Sequence, residues 1–248
     1  MSRNKQRNKE LSWTYVKGRL SLFLDSRASG ELSEAIARLG VQPVLLPPYR
    51  SLPEPVACHP DMLLYDMGDK LLVYRDYYAK NKALFDGISV MLTEHPAGNK
   101  YPSDVGMDAL ALGEYLFCLP RATCPEILNR HHVVPVKQGY TACSALKVSE
   151  HAIVTSDSSI ADAAEGKGIS VLRIRPGFIE LPGYDYGFIG GTAFRLGDTL
   201  YFSGDLSLHP DGDAIADFCE NQGVTAKSLL AGKKLADLGF LKYNQKAM

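Results

Sequence analysis

The chain has 248 residues, 46% hydrophobic and 22% charged, and its 27 Lys and Arg against 28 Asp and Glu leave a net charge of −1. Such a chain buries a full core in one large domain or two small ones, which excludes a disordered segment and a small disulfide-stapled scaffold. Its balanced charge gives no strong nucleic-acid signal, and no apolar run approaches the roughly 18 residues of a membrane span.

Residues 1–19 are a basic arm, with Arg3, Lys5, Arg7, Lys9, Lys17 and Arg19 against Glu10 alone. A solvated terminus accounts for this pattern. The apolar run SLFL that follows is too short for a secretory leader, and no small-residue cleavage site succeeds it. The cysteines, Cys58, Cys118, Cys124, Cys143 and Cys219, are odd in number and include no C-x-x-C pair, so they read as reduced thiols of a cytoplasmic protein. Neither a metal nor a cofactor is expected.

From Leu20 the pattern becomes periodic. LSLFLD predicts a strand, ELSEAIARLG a helix with one apolar stripe (Leu32, Ala35, Ile36, Leu39), and VQPVLLP a second strand. DMLLYDMGDKLLVY from Asp61 then predicts a hairpin, followed by a helical stretch around Tyr78–Phe85 and the strand ISVMLTE. GMDALALGEYLFCL from Gly106, CPEILNR and HHVVPV repeat that order. So do ACSALKVSEHAIVT from Ala142, SIADAAEGKG and ISVLRI, and then GGTAFRLGDTLYFS from Gly190, DAIADFCENQG and VTAKSL. Gly68-Asp69, Gly113-Glu114 and Gly197-Asp198 are favoured hairpin turns, because glycine takes the positive φ they need; Ser149-Glu150 is a weak fourth. Asp25, Asp76, Asp157 and Asp205, each between a hairpin strand and a helix, are expected to cap the helices.

The first unit lacks its opening strand, and KKLADLGFL (Lys233 to Leu241) has the length to supply it from the far end of the chain. A ring closed in this way exposes no sheet edge. The expected architecture is α/β: one domain over residues 20–241 built of ββαβ units, with a tail at 242–248.

Five ββαβ units in a closed ring resemble the pentein, or guanidine-modifying-enzyme, fold, a five-fold pseudo-symmetric α/β propeller. The closest likeness is to functionally uncharacterised bacterial proteins assigned that fold. Penteins that modify guanidino groups carry a His-x-Asp on a hairpin's first strand, and Cys58-His59-Pro60-Asp61-Met62 resembles it. The resemblance implies His59 as general acid/base and Asp61 as the carboxylate that holds a substrate guanidinium. Paired hydrogen bonds from a planar cation to a carboxylate are the physical basis of that role.

The nucleophile of such enzymes is a cysteine near the C-terminus, and here the chain departs from the pattern. No cysteine follows Cys219, which falls on the apolar stripe of a predicted helix. Cys143 is the candidate thiol: it shares the register of Met62, Met107 and Gly191 on the first hairpin strand, among the small residues Gly139, Thr141, Ala142 and Ser144. An activated thiol there is expected to have a lowered pKa. The aperiodic segment Gly177–Gly191 is long enough to cover a pocket, with Tyr184 and Asp185 placed to touch a ligand. The expected function is a Cys/His-dependent hydrolase or transferase acting on a guanidino-type C–N bond in a central pocket, with a guanidino-like or amine ligand. The alternative is a non-catalytic pentein that binds or senses a ligand, a reading favoured by the missing C-terminal cysteine.

Overall fold

The computed structural model describes residues 20–130 and 132–244, so the basic arm, His131 and residues 245–248 lie outside the described residues. The strands are β1 (Leu20–Asp25), β2 (Gln42–Leu46), β3 (Leu64–Asp66), β4 (Leu71–Tyr74), β5 (Val90–Thr93), β6 (Leu110–Leu112), β7 (Tyr115–Cys118) and β8 (His132–Pro135). They continue as β9 (Ala145–Ser149), β10 (Ala152–Thr155), β11 (Ser170–Arg173), β12 (Ala193–Leu196), β13 (Thr199–Phe202), β14 (Thr225–Ser228) and β15 (Leu241–Asn244). Together they form five three-stranded sheets. In each, a central strand pairs antiparallel with one neighbour and parallel with the other, the parallel partner arriving after a helix or helical turn.

Turn chemistry explains the hairpins. Gly68, Gly113 and Gly197 hold φ of +86°, +57° and +60°, which any side chain would resist. The glycine-free Ser149-Glu150 turn leaves its mark: the β9–β10 pairing slips between Ala152 and Ile153. The helices bury one face each, as Leu32 and Ile36 do in Gly30–Arg38 and Ile215 and Cys219 do in Gly212–Asn221. Central strands such as LLVY of β4 and AIVT of β10 are buried throughout, as strands covered on both faces must be.

The ring closes through the first sheet, where β15 pairs antiparallel with β1 from Leu20↔Asn244 to Phe23↔Leu241. The closing strand therefore starts at Leu241, where the sequence had suggested it would end. Lys233–Phe240 is instead a connection that turns at Gly239, φ +57°, and the sheet reaches past the expected domain edge to Asn244. All four hairpins also start later than expected, at Leu64, Leu110, Ala145 and Ala193. Asp61 and Cys143 each lie on a single helical turn, Pro60–Leu63 and Thr141–Ser144, before β3 and β9. Proline at the first position of the Asp61 turn presets helical φ and has no N–H to give a ladder.

Of the four aspartates expected as caps, two behave so. Asp157 accepts from Ile160 N at 2.9 Å, and Asp205 accepts from Ser207 N at 3.1 Å and Gly232 N at 2.8 Å. Asp76 lies inside the first turn of Arg75–Lys80 and caps nothing. Asp25 is buried, and Ser29 takes the capping role by accepting from Leu32 N at 3.2 Å.

Candidate active site at the ring axis

The segments leading into the first strands of the units converge on one point. Asp61 arrives ahead of β3, Asp108 ahead of β6, Cys143 ahead of β9, Gly191 ahead of β12, and Asp237 with Gly239 ahead of β15. Backbone bonds stitch them together: Asp61 N donates to Gly239 O at 3.2 Å and Leu238 N to Gly191 O at 2.9 Å. Two glycines make room for carboxylates. A Cβ on Gly191 would lie 1.8 Å from Asp237 Oδ1, and one on Gly239 would lie 2.4 Å from Asp61 Oδ1.

Around that point the Cys143 thiol donates to Asp61 Oδ2 at 3.0 Å. Asp108 Oδ1 accepts the backbone N–H groups of Ala142 and Cys143. The His59 imidazole lies between acids: Nε2 is 3.5 Å from Asp25 Oδ2, while Nδ1 is 3.8 Å from Asp237 Oδ1 and 4.0 Å from Asp61 Oδ1. Arg27 clamps Asp25 through Nη2 at 2.6 Å and Nε at 2.9 Å. Asp237 Oδ2 accepts from Phe188 N at 2.9 Å. Both nitrogens of His59, Asp61 Oδ1 and Asp108 Oδ2 are buried without a hydrogen-bond partner. Buried polar atoms are costly to leave unmatched, and a neutral imidazole adds one N–H and one lone pair to the two carboxylate oxygens here.

Burial sets the protonation of these groups. It pushes Asp61 and Asp237 each up to about 6. Burial first, and the Asp61 carboxylate second, push Asp108 well up. The Cys143 thiol is driven far above its ordinary value by burial and then by Asp108, Asp61 and Asp237. His59 is lowered by burial, which outweighs the pull of Asp237 and Asp25. These shifts favour a protonated thiol and a neutral imidazole, and the lowered thiol pKa expected from the sequence is reversed by burial and then by the surrounding acids.

The thiol is reached through a cavity of about 220 Å³ that it lines with Asp237, Tyr140, Phe188, Tyr184 and Asp185. His59 faces a different cavity of about 330 Å³, shared with Asp25, Arg27 and Asp237. The structure therefore brings His59, Asp61 and Cys143 together and places Tyr184 and Asp185 outside the thiol. Ligand atoms of His59, Asp61 and Cys143 also lie within 4.8 Å of one another, close enough to hold a metal ion. Sequence reasoning missed Asp108 and Asp237 and read Asp25 as a cap. The available signal was an acid ahead of the first strand in three units, in His-Pro-Asp, Gly-Met-Asp and Leu-Ala-Asp.

A family described as of unknown function, DUF6873, matches residues 23–241. No curated protein matches the sequence. Among solved structures, the chain is similar to a cysteine-to-serine variant of the DDAH of Pseudomonas aeruginosa complexed with citrulline, at TM-score 0.53 and 8% identity over 87% of this chain and 93% of that one. It is similar to a substrate-bound cysteine-to-serine variant of C. jejuni agmatine deiminase, at TM-score 0.54 and 10% identity over 94% of each chain. An amidinotransferase from Microseira wollei, of the saxitoxin biosynthetic pathway, matches at TM-score 0.53 and 10% identity over 89% of this chain and 80% of that one. The shared fold is the pentein fold, with its five repeated units.

Proposed function

For this chain, which belongs to the DUF6873 family, we propose a Cys/His-dependent hydrolase or transferase that acts on a guanidino-type C–N bond at the ring axis. The observation that carries the reading is the pair of unmatched buried carboxylate oxygens, Asp61 Oδ1 and Asp108 Oδ2, beside the Cys143 thiol. A guanidinium is planar, cationic and rich in N–H donors, which is what two unsatisfied carboxylates accept best. Structures of the same fold with citrulline or substrate bound support that ligand class.

A bound cation also reverses the electrostatics of the thiol. Positive charge next to Cys143 offsets the carboxylates that raise its pKa, so the substrate itself favours the thiolate. The thiol proton passes to neutral His59, whose nitrogen lies within 4.8 Å of Sγ. The thiolate attacks the guanidinium carbon, forming a C–S bond, and the C–N bond breaks as His59 returns the proton to the leaving amine. In the second half, water or an acceptor amine gives a proton to His59 and attacks the same carbon. The C–S bond breaks and Cys143 recovers its proton from His59. Asp61, Asp108 and Asp237 keep the carbon in place, and Asp25, 3.5 Å from Nε2, stabilises the imidazolium that forms.

The thiol is only 2% exposed, which also fits a ring that binds a cation without chemistry. A panel of mono- and disubstituted guanidines, assayed for amine release and ureido product with wild type and Cys143→Ser, separates the two. Turnover lost in Cys143→Ser supports the enzyme, whereas saturable binding with no product in either protein establishes a binding ring.

A further inference from the structure

The first strands of the units stand around the axis, and beyond the thiol they enclose a third space of about 590 Å³. Its floor includes Ala142 and Gly190, each one residue from the axial cluster, and its walls follow β9 and β12 toward the Ser149-Glu150 turn. Leu110, Leu146, Leu200, Phe194 and Phe240 make those walls apolar. The charged groups that line it are opposite in balance to the thiol site: Lys147, Arg195 and Lys242, from three different units, against Asp66 and Glu150.

The two acids do not neutralise the three cations evenly. Glu150 is taken by Lys147 at 2.7 Å and by Gly113 N at 2.8 Å. Arg195 spends Nη1 and Nε on the neutral carbonyls of Val148 and Gly197, at 2.6 and 2.9 Å. Its Asp198 contact is 3.6 Å long, to a carboxylate 90% exposed, and such a pair contributes little. Lys242 is half-buried, and burial together with Arg195 and Lys147 lowers its pKa, with Asp66 only partly opposing. A cation disfavoured by its surroundings in this way gains from an anion.

We propose that this far side of the ring is a second binding site, for an organic anion whose carboxylate or phosphate group meets Arg195 and Lys242 while an apolar body packs on Leu146, Phe194 and Phe240. The volume is that of a small-molecule site, and the arrangement of apolar walls with few placed charges is what such sites need. It is independent of any role of Cys143.

Calorimetric titration of the full chain with octanoate, octyl phosphate, octanol and octylammonium tests the site. Saturable binding of one or both anions is expected, with octanol and octylammonium weaker by about tenfold or more, the effect of a charge-assisted contact. The tighter of the two anions identifies the headgroup. Lys242→Met, which keeps the stem and removes the charge, should weaken the anion by a similar factor while the melting temperature and Cys143 alkylation stay unchanged. Arg195→Gln gives the same comparison should Lys242→Met fail to fold. Octanol binding as tightly as octanoate, no saturable anion binding, or anion affinity unchanged in a folded variant would each overturn the proposal.

Discussion

The Cys143 thiol donates to Asp61 Oδ2 at 3.0 Å although the two residues are 82 positions apart and belong to different units of the ring. Each sits on a helical turn ahead of a strand, and that irregularity lets them meet. Neighbouring residues of a regular strand would face opposite ways. The contact joins the candidate nucleophile to the candidate cation anchor, so one carboxylate both disfavours the thiolate and attracts the charge that would offset it.

Asp61→Asn removes one of the acids that raise the thiol pKa. The pH at which Cys143 becomes susceptible to iodoacetamide should therefore move down in the variant, as read by peptide mass spectrometry across a pH series. An upward move, or none, would show that the Asp61 charge does not act on the thiol.

Asp237 should make the protein less stable as pH rises. Its folded-state pKa is about 6 against an ordinary 3.8, so between those values the native state keeps a proton that the unfolded chain has released. Its stabilising contribution is full below about pH 4 and is lost as pH rises through 6. Asp61, also raised to about 6, acts in the same direction. His59, lowered from 6.5, acts in the opposite one, its contribution being lost as pH falls. Asp237→Asn removes the first effect, and with it the pull that Asp237 exerts on His59. From pH 4 to pH 8 it should gain about 3 kcal/mol on wild type in urea unfolding, from the shift of about two units. A constant difference across that range would contradict the burial argument.

Asp157→Ala should cost about 1 kcal/mol of stability by leaving the first turn of Ser158–Glu165 without its cap. Cys143 alkylation should be unchanged in the folded variant, since the cap lies on the helix and not at the axis. A changed alkylation rate at an unaltered melting temperature would assign Asp157 to the site instead.

Removing residues 241–248 takes away β15 and bares the edge of β1, whose Leu22, Phe23 and Leu24 are fully buried. The truncated chain should aggregate or fail to show a cooperative melt. A monomer with the parent's melting temperature would show that ring closure contributes nothing to stability.

The ring was legible in the sequence because its signals repeat. Gly68, Gly113 and Gly197 each demand a turn between apolar alternations, and the chain ends left one unit short of a strand. The site was legible in part. His59 and Asp61 came from spacing and resemblance, and Cys143 from its register among small residues. Asp108 and Asp237 escaped because alternation does not locate a strand's first residue: β6 begins only at Leu110 and β15 only at Leu241. Asp25 looked like a cap because a capping acid and a buried site acid occupy the same position in the repeat. Its partner His59 comes from the next unit, which only the folded ring brings near. The direction of the thiol's pKa shift was hidden for the same reason, since it depends on burial at the axis and then on acids from three other segments.

The axial acids should draw a cation onto the Cys143 thiol. Alkylation of Cys143 by cationic 2-chloroacetamidine and by neutral, nearly isosteric 2-chloroacetamide tests it, each rate being divided by that of glutathione with the same reagent. A preference for the amidine at Cys143 of about tenfold or more is expected from charge attraction in a buried site, and that preference should be lost in Asp61→Asn. Equal normalised rates, or a preference for the neutral amide, would contradict it.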